Sequence, residues 1–269
     1  MKTLSRIYTA LIMVFLYAPM AVMIVFSFNS SRSTSVFGGF STQWYGELLN
    51  DSSTIEALKN TLILAVLSSV IATVLGTLST VGIFQMKRKF VRTAIMTTTN
   101  IPMMNPDIVT GISLMLLFVF VGKLVGSDDA LGFGTMLIAH ITFNLPYVIL
   151  SVLPKLKQTD PHLSEAATDL GCTPLQSFFK VVFPSIAPGV FTGLLMAFTL
   201  SLDDFVISYF TTGPDFQTLP IKIFSMTKRR VTPDMYALST LIFLSVLLLL
   251  ILINVAQSRS DKKKEAAKI

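Results

Sequence analysis

The chain has 269 residues, of which 52% are hydrophobic and only 13% are charged. Soluble domains carry about 25% charged residues, so the composition excludes an ordinary soluble protein and indicates an integral membrane protein. Neither nucleic-acid binding nor an internal disulfide is indicated, because the net charge of +6 follows from membrane topology and Cys172 is the single cysteine.

Six apolar segments are long enough to cross a bilayer, which requires about 17–25 residues. They cover approximately residues 7–28, 58–84, 93–121, 135–153, 186–210 and 236–255. The first is longer than the ~7–15-residue core of a signal peptide and is followed by no cleavage site, so we interpret it as an uncleaved span. The sequence therefore predicts an all-α integral membrane protein with six transmembrane helices in a single domain, residues 1–269.

Basic residues predict the orientation of these spans, because Lys and Arg concentrate in cytoplasmic loops. Most of the 21 lie at the N-terminus, after the second and fourth spans, and in the C-terminal tail. Both termini are then cytoplasmic. One outer loop, between the fifth and sixth spans, is also basic, through Lys222, Lys228, Arg229 and Arg230. These side chains would meet either acidic residues of a carrier protein or lipid phosphates.

The long outer loop, residues 29–57, contains the segment FGGFSTQWYGELL. Ser41 is placed to cap a short helix. Trp44 and Tyr45 of that helix would lie at the membrane interface, where such aromatic residues are enriched.

Two spans carry residues that affect helix packing. The third span contains Pro102 and Pro106, which lack backbone donors and predict a kink. In the second span, small residues recur every four positions and predict close contact with another helix. These residues are Thr61, Ala65, Ser69 and Thr73.

Residues 160–184, between the fourth and fifth spans, interrupt the apolar pattern with polar residues and prolines. Asp160 precedes a proline and is placed to cap a helix, which would stop at Gly171 in a left-handed conformation. The capping-box pattern that begins at Thr173 predicts a second helix, ending near Pro184. We expect two short cytoplasmic helices joined by a glycine elbow, either a surface connector or a segment that docks into a groove of another protein.

This segment resembles the EAA signature of ABC importer permeases, in which E-A-A is followed after three residues by G and after nine more by I-x-L-P. The matching residues are Glu165, Ala166, Ala167, Gly171, Val181, Phe183 and Pro184. Valine and phenylalanine replace the usual isoleucine and leucine. The resemblance implies a type I ABC importer permease fold and a coupling helix that seats in a cytoplasmic ATPase subunit.

The expected ATPase is a separate protein, because the chain has no GxxxxGK[ST] phosphate loop. ATP and Mg would be used by an ATPase subunit dimer. We therefore expect a transport subunit that is not itself an enzyme and that binds no cofactor or metal.

Carboxylates inside the membrane are candidate substrate contacts, because charged groups are costly there and are usually functional. Asp107 lies in the third span, and Asp203 and Asp204 are adjacent in the fifth. Acidic residues along a pathway suit a cationic substrate, to which Trp44 would add a cation–π contact. Consecutive helical residues point about 100° apart, so the sequence leaves open which of the pair faces the pathway. A purely structural role is the alternative for all three acids.

A closer resemblance extends nearly from end to end. The segments FSFNSS, GGFSTQWYGELL, IPMMNPDIVTGISLMLLF and TLSLDDFVIS are similar, in that order, to spermidine/putrescine permeases of the PotC type. The resemblance implies half of a polyamine pore in a bacterial inner membrane, with a second homologous permease and a periplasmic or surface polyamine-binding protein as partners. It also associates Trp44 and Asp107 with polyamine uptake. Permeases for iron, phosphonate and opines share several segments and remain alternatives.

Two other function classes are weighed against this interpretation. An ion-coupled secondary transporter would need no ATPase, and the elbow would then have no purpose. An aspartyl intramembrane protease needs acids on two helices, which Asp107 and the Asp203–Asp204 pair supply, but the sequence has no GxGD motif. We interpret the two histidines, His140 and His162, as structural.

Overall fold

The computed structural model describes residues 2–33, 36–126, 130–160, 162–228 and 232–266. These residues form α-helices and one π-helical turn, and the isolated bridge between Asn29 and Phe40 is the β-type pairing found among them. They group into two compact units. The first combines Met1–Ile55 with Lys222–Ile269, and the second is Glu56–Ile221.

The helices follow one another along the chain with short connections. They are α1 (Lys2–Phe26), α2 (Gln43–Asn50), α3 (Ser52–Gln85), α4 (Lys89–Met104), α5 (Asp107–Val125), α6 (Phe133–Gln158), α7 (Leu163–Asp169), α8 (Pro174–Ser177), the π-helical turn (Phe178–Val182), α9 (Phe183–Asp203), α10 (Val206–Thr211), α11 (Leu219–Thr227) and α12 (Pro233–Ala266).

Five helical segments of the described chain are long and apolar enough to cross a membrane. They are Leu4–Phe26, Ser52–Gln85, Asp107–Val125, Phe133–Gln158 and Pro174–Asp203. A sixth apolar helix, Pro233–Leu248, is shorter. The prediction of an all-helical, multi-pass membrane protein is confirmed. The count of six spans and the cytoplasmic location of both termini stay predictions.

Proline breaks the third apolar segment into two helices. Helix α4 ends at Met104, Asn105 is extended with ψ 144°, and Pro106 has ψ 136° before α5 begins. The residue that precedes a proline is pushed out of the helical region by the proline ring, which accounts for the extended Asn105. The predicted kink is thus a full interruption at Pro106, whereas Pro102 is accommodated inside α4.

The second unit is built around close contacts of α6 with α3 and α9. A Cβ atom added at Gly76 would lie 2.7 Å from Val148, and one at Gly189 would lie 2.8 Å from the Ser151 carbonyl oxygen. Larger residues would force these helices apart. The predicted small-residue face of α3 is buried, as expected for close packing in lipid. Its members are Thr61, Ala65, Ser69 and Thr73.

Candidate functional site: the elbow and the broken spans

The elbow between α7 and α8 is held by local hydrogen bonds. Gly171 has φ +88°, which glycine adopts without steric cost. Its N–H donates to Thr168, and the N–H of Cys172 donates to Ala167, which closes the end of α7. At the start of α8, the N–H of Gln176 donates to the Thr173 hydroxyl at 3.3 Å, and the Thr173 N–H donates to the Gln176 side chain at 3.1 Å. The predicted glycine elbow and capping box are confirmed.

The start of the elbow differs slightly from the prediction. Helix α7 begins at Leu163, and the Asp160 carboxylate accepts the N–H of His162 at 2.9 Å. Pro161, the expected first helical residue, lies outside the described residues. Two serines join the helices, since the hydroxyls of Ser164 and Ser177 are 3.0 Å apart.

The predicted end of the second helix near Pro184 is wrong. Helix α8 continues through the π-helical turn into α9, so the segment Pro174–Asp203 is helical throughout. A proline inside an α-helix has no N–H to donate, and its ring clashes with the carbonyl four residues earlier. The wider π-helical turn directly before Pro184 relieves that clash. The elbow is therefore connected to the fifth span by continuous helix.

The predicted coupling residues divide between the surface and the interior. Glu165 and Ala166 are exposed, and Ala167 is buried. Glu165 pairs with His162 at 3.0 Å between the carboxylate and Nδ1. This hydrogen bond, with the charges of Glu165 and Asp160, raises the pKa of His162. Pro184 lies beyond the π-helical turn, away from the elbow along the chain.

Apolar side chains surround the elbow on its exposed side. Leu170, Leu175 and Phe179 are 88%, 71% and 59% exposed. Apolar side chains this exposed on a polar loop are typical of a docking surface. Sequence reasoning noticed Phe179 as part of a phenylalanine pair but did not single out either leucine, although both flank the glycine and proline that shape the elbow.

The two adjacent carboxylates of the fifth span have different environments. Helix α9 ends at Asp203, and Asp204 has ψ 122°, so the span is interrupted at this point. The Asp204 carboxylate accepts the N–H groups of Ile207 and Ser208 at 3.3 and 2.7 Å and caps α10. Its side chain is 9% exposed. Asp203 and, at the start of α5, Asp107 are exposed. Of the pair, Asp203 is thus the residue free of the capping contacts.

His140 joins the interruption to the neighbouring helices, a role that sequence reasoning missed. Its Nδ1 lies 2.6 Å from the Ser201 hydroxyl, and its Nε2 lies 2.9 Å from the Ser208 hydroxyl and 3.5 Å from the Asp204 carboxylate. The Ser201 hydroxyl is in turn 2.9 Å from that of Ser68 on α3. The structural interpretation of His140 fits this network, but its partners are 61 or more positions away along the chain.

Trp44 lies in the first unit and is buried. Its side chain is 4% exposed, and its indole N–H donates to the Asn29 carbonyl at 2.6 Å. The expectation that Trp44 lies at the membrane interface is therefore wrong, because the outer loop folds over the ring and satisfies its donor. Helix α2 begins at Gln43 with Thr42 before it, and Ser41 accepts the Gln43 N–H at 3.2 Å. The role of Trp44 in a pathway stays a prediction.

The basic outer loop is only partly available for contacts. Lys222 is 8% exposed and pairs with Asp51 at 2.6 Å, so it is not the free surface charge that the sequence suggested. The Lys228 ammonium lies 4.7 Å from the centre of the Phe224 ring. Arg229 and Arg230 lie outside the described residues. In the part of the chain that is described, no group of His, Cys, Asp and Glu side chains is arranged to hold a metal ion.

Comparison with known proteins decides the family. A family model described as the binding-protein-dependent transport system inner membrane component matches residues 72–265. The chain belongs to this family. Among its relatives, the putrescine transport system permease protein PotI of Escherichia coli K12 is 39% identical over 93% of this chain and 89% of its own length. The spermidine/putrescine transport system permease protein PotC of the same strain is 40% identical over 88% and 87%.

Solved structures of permease chains share the fold. A chain of a bacterial ABC transporter that imports alginate has a TM-score of 0.72 and 17% identity, covering 95% of this chain and 93% of that one. A chain of an amino acid ABC transporter has a TM-score of 0.55 and 19% identity, covering 80% and 95%. The resemblance to ABC importer permeases that the EAA-like segment indicates is confirmed.

Proposed function

We propose that this chain forms one half of the translocation pore of an ATP-driven polyamine importer of the type I ABC class. The observation that carries the proposal is the EAA-like elbow, which is connected by continuous helix to the exposed carboxylate of Asp203. The relatives at 39–40% identity, which are putrescine and spermidine/putrescine permeases, support the substrate class.

The proposed subunit acts as a single permease domain, residues 1–269, with six spans and both termini in the cytoplasm of a bacterial cell. Its partners would be an ATPase subunit dimer, a second homologous permease and a periplasmic or surface polyamine-binding protein. A solved relative in fold is a bacterial alginate transporter in complex with a substrate-bound periplasmic protein. ATP and Mg would bind to the ATPase subunits alone, and this chain would carry out no bond chemistry.

Coupling would begin at the elbow, where Glu165, Ala166 and Gly171 meet the exposed leucines. Ala167 and Pro184 would shape the elbow from inside and from its far end. ATP-driven closure of the ATPase dimer would move the elbow. Because α8, the π-helical turn and α9 are continuous, the displacement would pass to the fifth span and its interruption at Asp204, and the pore would change the side to which it is open.

The substrate pathway would be lined by carboxylates that replace water around the ammonium groups of a polyamine. Asp107 and Asp203 are exposed and lie at helix interruptions. Asp204 would contribute through its capping contacts, and Trp44 would act from the first unit by holding the outer loop. The alternatives are a permease for iron, phosphonate or opines and, in another class, an ion-coupled secondary transporter.

The test is uptake of labelled putrescine and spermidine by cells in which the gene is deleted and then restored. We expect deletion to abolish uptake, the wild-type gene to restore it, and Glu165→Lys to fail although the protein inserts normally. Asp169→Lys, a charge reversal on the same helix outside the EAA match, is the matched control and should restore uptake. Rescue by Glu165→Lys would contradict the docking role. Unchanged uptake on deletion, where no other polyamine system operates, would contradict the substrate.

The same assay ranks the acidic residues. We expect Asp107→Asn and Asp203→Asn to lower the uptake rate with the subunit fully assembled, because a charge that contacts the substrate is lost. Asp204→Asn should lower the amount of assembled subunit instead, because a buried cap is weakened. Wild-type rates in the first two variants would remove both carboxylates from the pathway.

A further inference from the structure

The interruption of the fifth span is spanned by a single buried side chain. His140 is 1% exposed and reaches Ser201 before the interruption, Asp204 within it and Ser208 after it. A buried polar ring is tolerated only where its nitrogens are hydrogen-bonded, and both His140 nitrogens have partners. The two halves of the span are therefore tied to α6 through one imidazole.

The chemistry of the partners fixes how the proton is placed. A carboxylate only accepts hydrogen bonds, so the Asp204 contact requires the proton on Nε2. Nδ1 then accepts from the Ser201 hydroxyl, which is in contact with Ser68 at 2.9 Å. The network thus has one direction, from α3 through α9 and α6 to the interruption.

This network determines which carboxylate remains available. Two backbone N–H groups of α10 and the imidazole surround Asp204, so its oxygens are occupied by the protein. Asp203, the neighbouring residue, takes part in no such contact with His140 and is exposed. Without His140, the interruption would lose its link to α6, and the two adjacent carboxylates would be free to exchange places.

We propose that His140 is a positioning residue for transport: it holds the interruption of the fifth span so that the Asp203 carboxylate faces the cationic substrate. This inference rests on the proposed function. It concerns orientation, and His140 itself does not contact the polyamine.

A double-mutant cycle in the assembled transporter tests the inference. Uptake of labelled putrescine is measured for wild type, Asp203→Asn, His140→Ala and the double variant, each normalised to the amount of assembled subunit. Asp203→Asn alone should lower the rate by roughly tenfold, as expected for one charged contact. In the His140→Ala background the same change should have little further effect, because Asp203 is no longer presented. A general loss of stability would instead leave the factor for Asp203→Asn unchanged.

Two conservative variants keep the test decisive if His140→Ala does not assemble. His140→Gln places an amide near the Nε2 position and should keep the effect of Asp203→Asn, whereas His140→Asn reaches only toward Ser201 and should lose it. Equal factors for Asp203→Asn in every background would overturn the inference. Absence of polyamine uptake by the wild type would instead overturn the proposed function, so the two failures are distinct.

Discussion

Lys222 shows how this protein keeps a buried charge. Its ammonium lies 2.6 Å from the Asp51 carboxylate and also donates to Ser53. The hydroxyl of Thr54 donates to the same carboxylate. The hydrogen bond from Lys222, together with those from Thr54 and Ser53, lowers the pKa of Asp51 well below its usual range. The pair joins the start of α3 to α11 within the first unit.

Asp51→Asn should destabilise the subunit, because it leaves the Lys222 ammonium buried without a countercharge. The Asp51 side chain is 43% exposed, and after allowance for solvent screening we expect a loss of about 1–3 kcal/mol. The measurement is thermal unfolding in detergent at pH 7. Glu47→Gln, an exposed carboxylate of α2, is the control. An unfolding midpoint equal to that of Glu47→Gln would show that the pair contributes nothing.

The pH dependence of this pair has a defined sign. The pKa of Asp51 is lowered in the folded protein, so its contribution is fully present above the unfolded value of about 3.9 and is lost as the pH falls below it. Asp51→Asn should therefore narrow the difference between the stability at pH 7 and at pH 3.

The two aspartates show where sequence reasoning stopped for single residues. The sequence identified Asp203 and Asp204 as unusual inside an apolar span, but their roles depend on a helix that ends between them. It placed His140 correctly in the fourth span, yet the three hydroxyls around the ring come from helices distant along the chain. Such contacts leave no periodic pattern, whereas the small-residue face of α3 does.

The elbow was predictable because its chemistry is local. A left-handed glycine, a capping box and a proline at the helix start act within a few residues, and all three are visible in the sequence. The unbroken connection to α9 was not predicted, because a π-helical turn has no comparable signature and the rule that proline ends a helix pointed the other way.

Gly171→Ala should impair coupling without affecting insertion. No atom outside its chain neighbours lies within 4 Å of an added Cβ, so the change acts through the backbone alone. Alanine at φ +88° costs about 1–2 kcal/mol, which lowers the population of the elbow conformation by about 5–30-fold. We expect uptake of labelled putrescine to fall, with the amount of subunit in the membrane unchanged.

Gly46→Ala in α2 is the matched control for this substitution. An added Cβ there also meets nothing within 4 Å, but the residue is helical, where alanine is favourable. Uptake should stay at the wild-type level. Equal uptake by the Gly171→Ala and Gly46→Ala variants would show that the left-handed elbow is not needed for coupling.

Assembly is the level that the chain by itself decides least. The apolar window of α1 is 0% buried, and lipid and a second permease would cover such a surface equally well. Composition predicted the membrane and periodicity predicted the helices. The side on which each loop lies was inferred from basic residues alone, and this assignment has a direct test.

The single cysteine provides that test without any substitution. Cys172 follows the elbow glycine and is partly accessible. With the elbow in the cytoplasm, a membrane-impermeant maleimide should label Cys172 in inside-out vesicles and not in intact spheroplasts. Added ATPase subunits should protect it in vesicles stripped of them, because the docked elbow is covered.

A second position makes the result interpretable in both directions. The variant Cys172→Ser with Glu47→Cys places the thiol on exposed α2, which the same topology puts on the outer side, so the labelling pattern should be reversed. Labelling of Cys172 in spheroplasts would overturn the orientation. Labelling in vesicles that ATPase subunits do not reduce would keep the orientation and contradict docking at the elbow, because a seated coupling helix must exclude a reagent of this size.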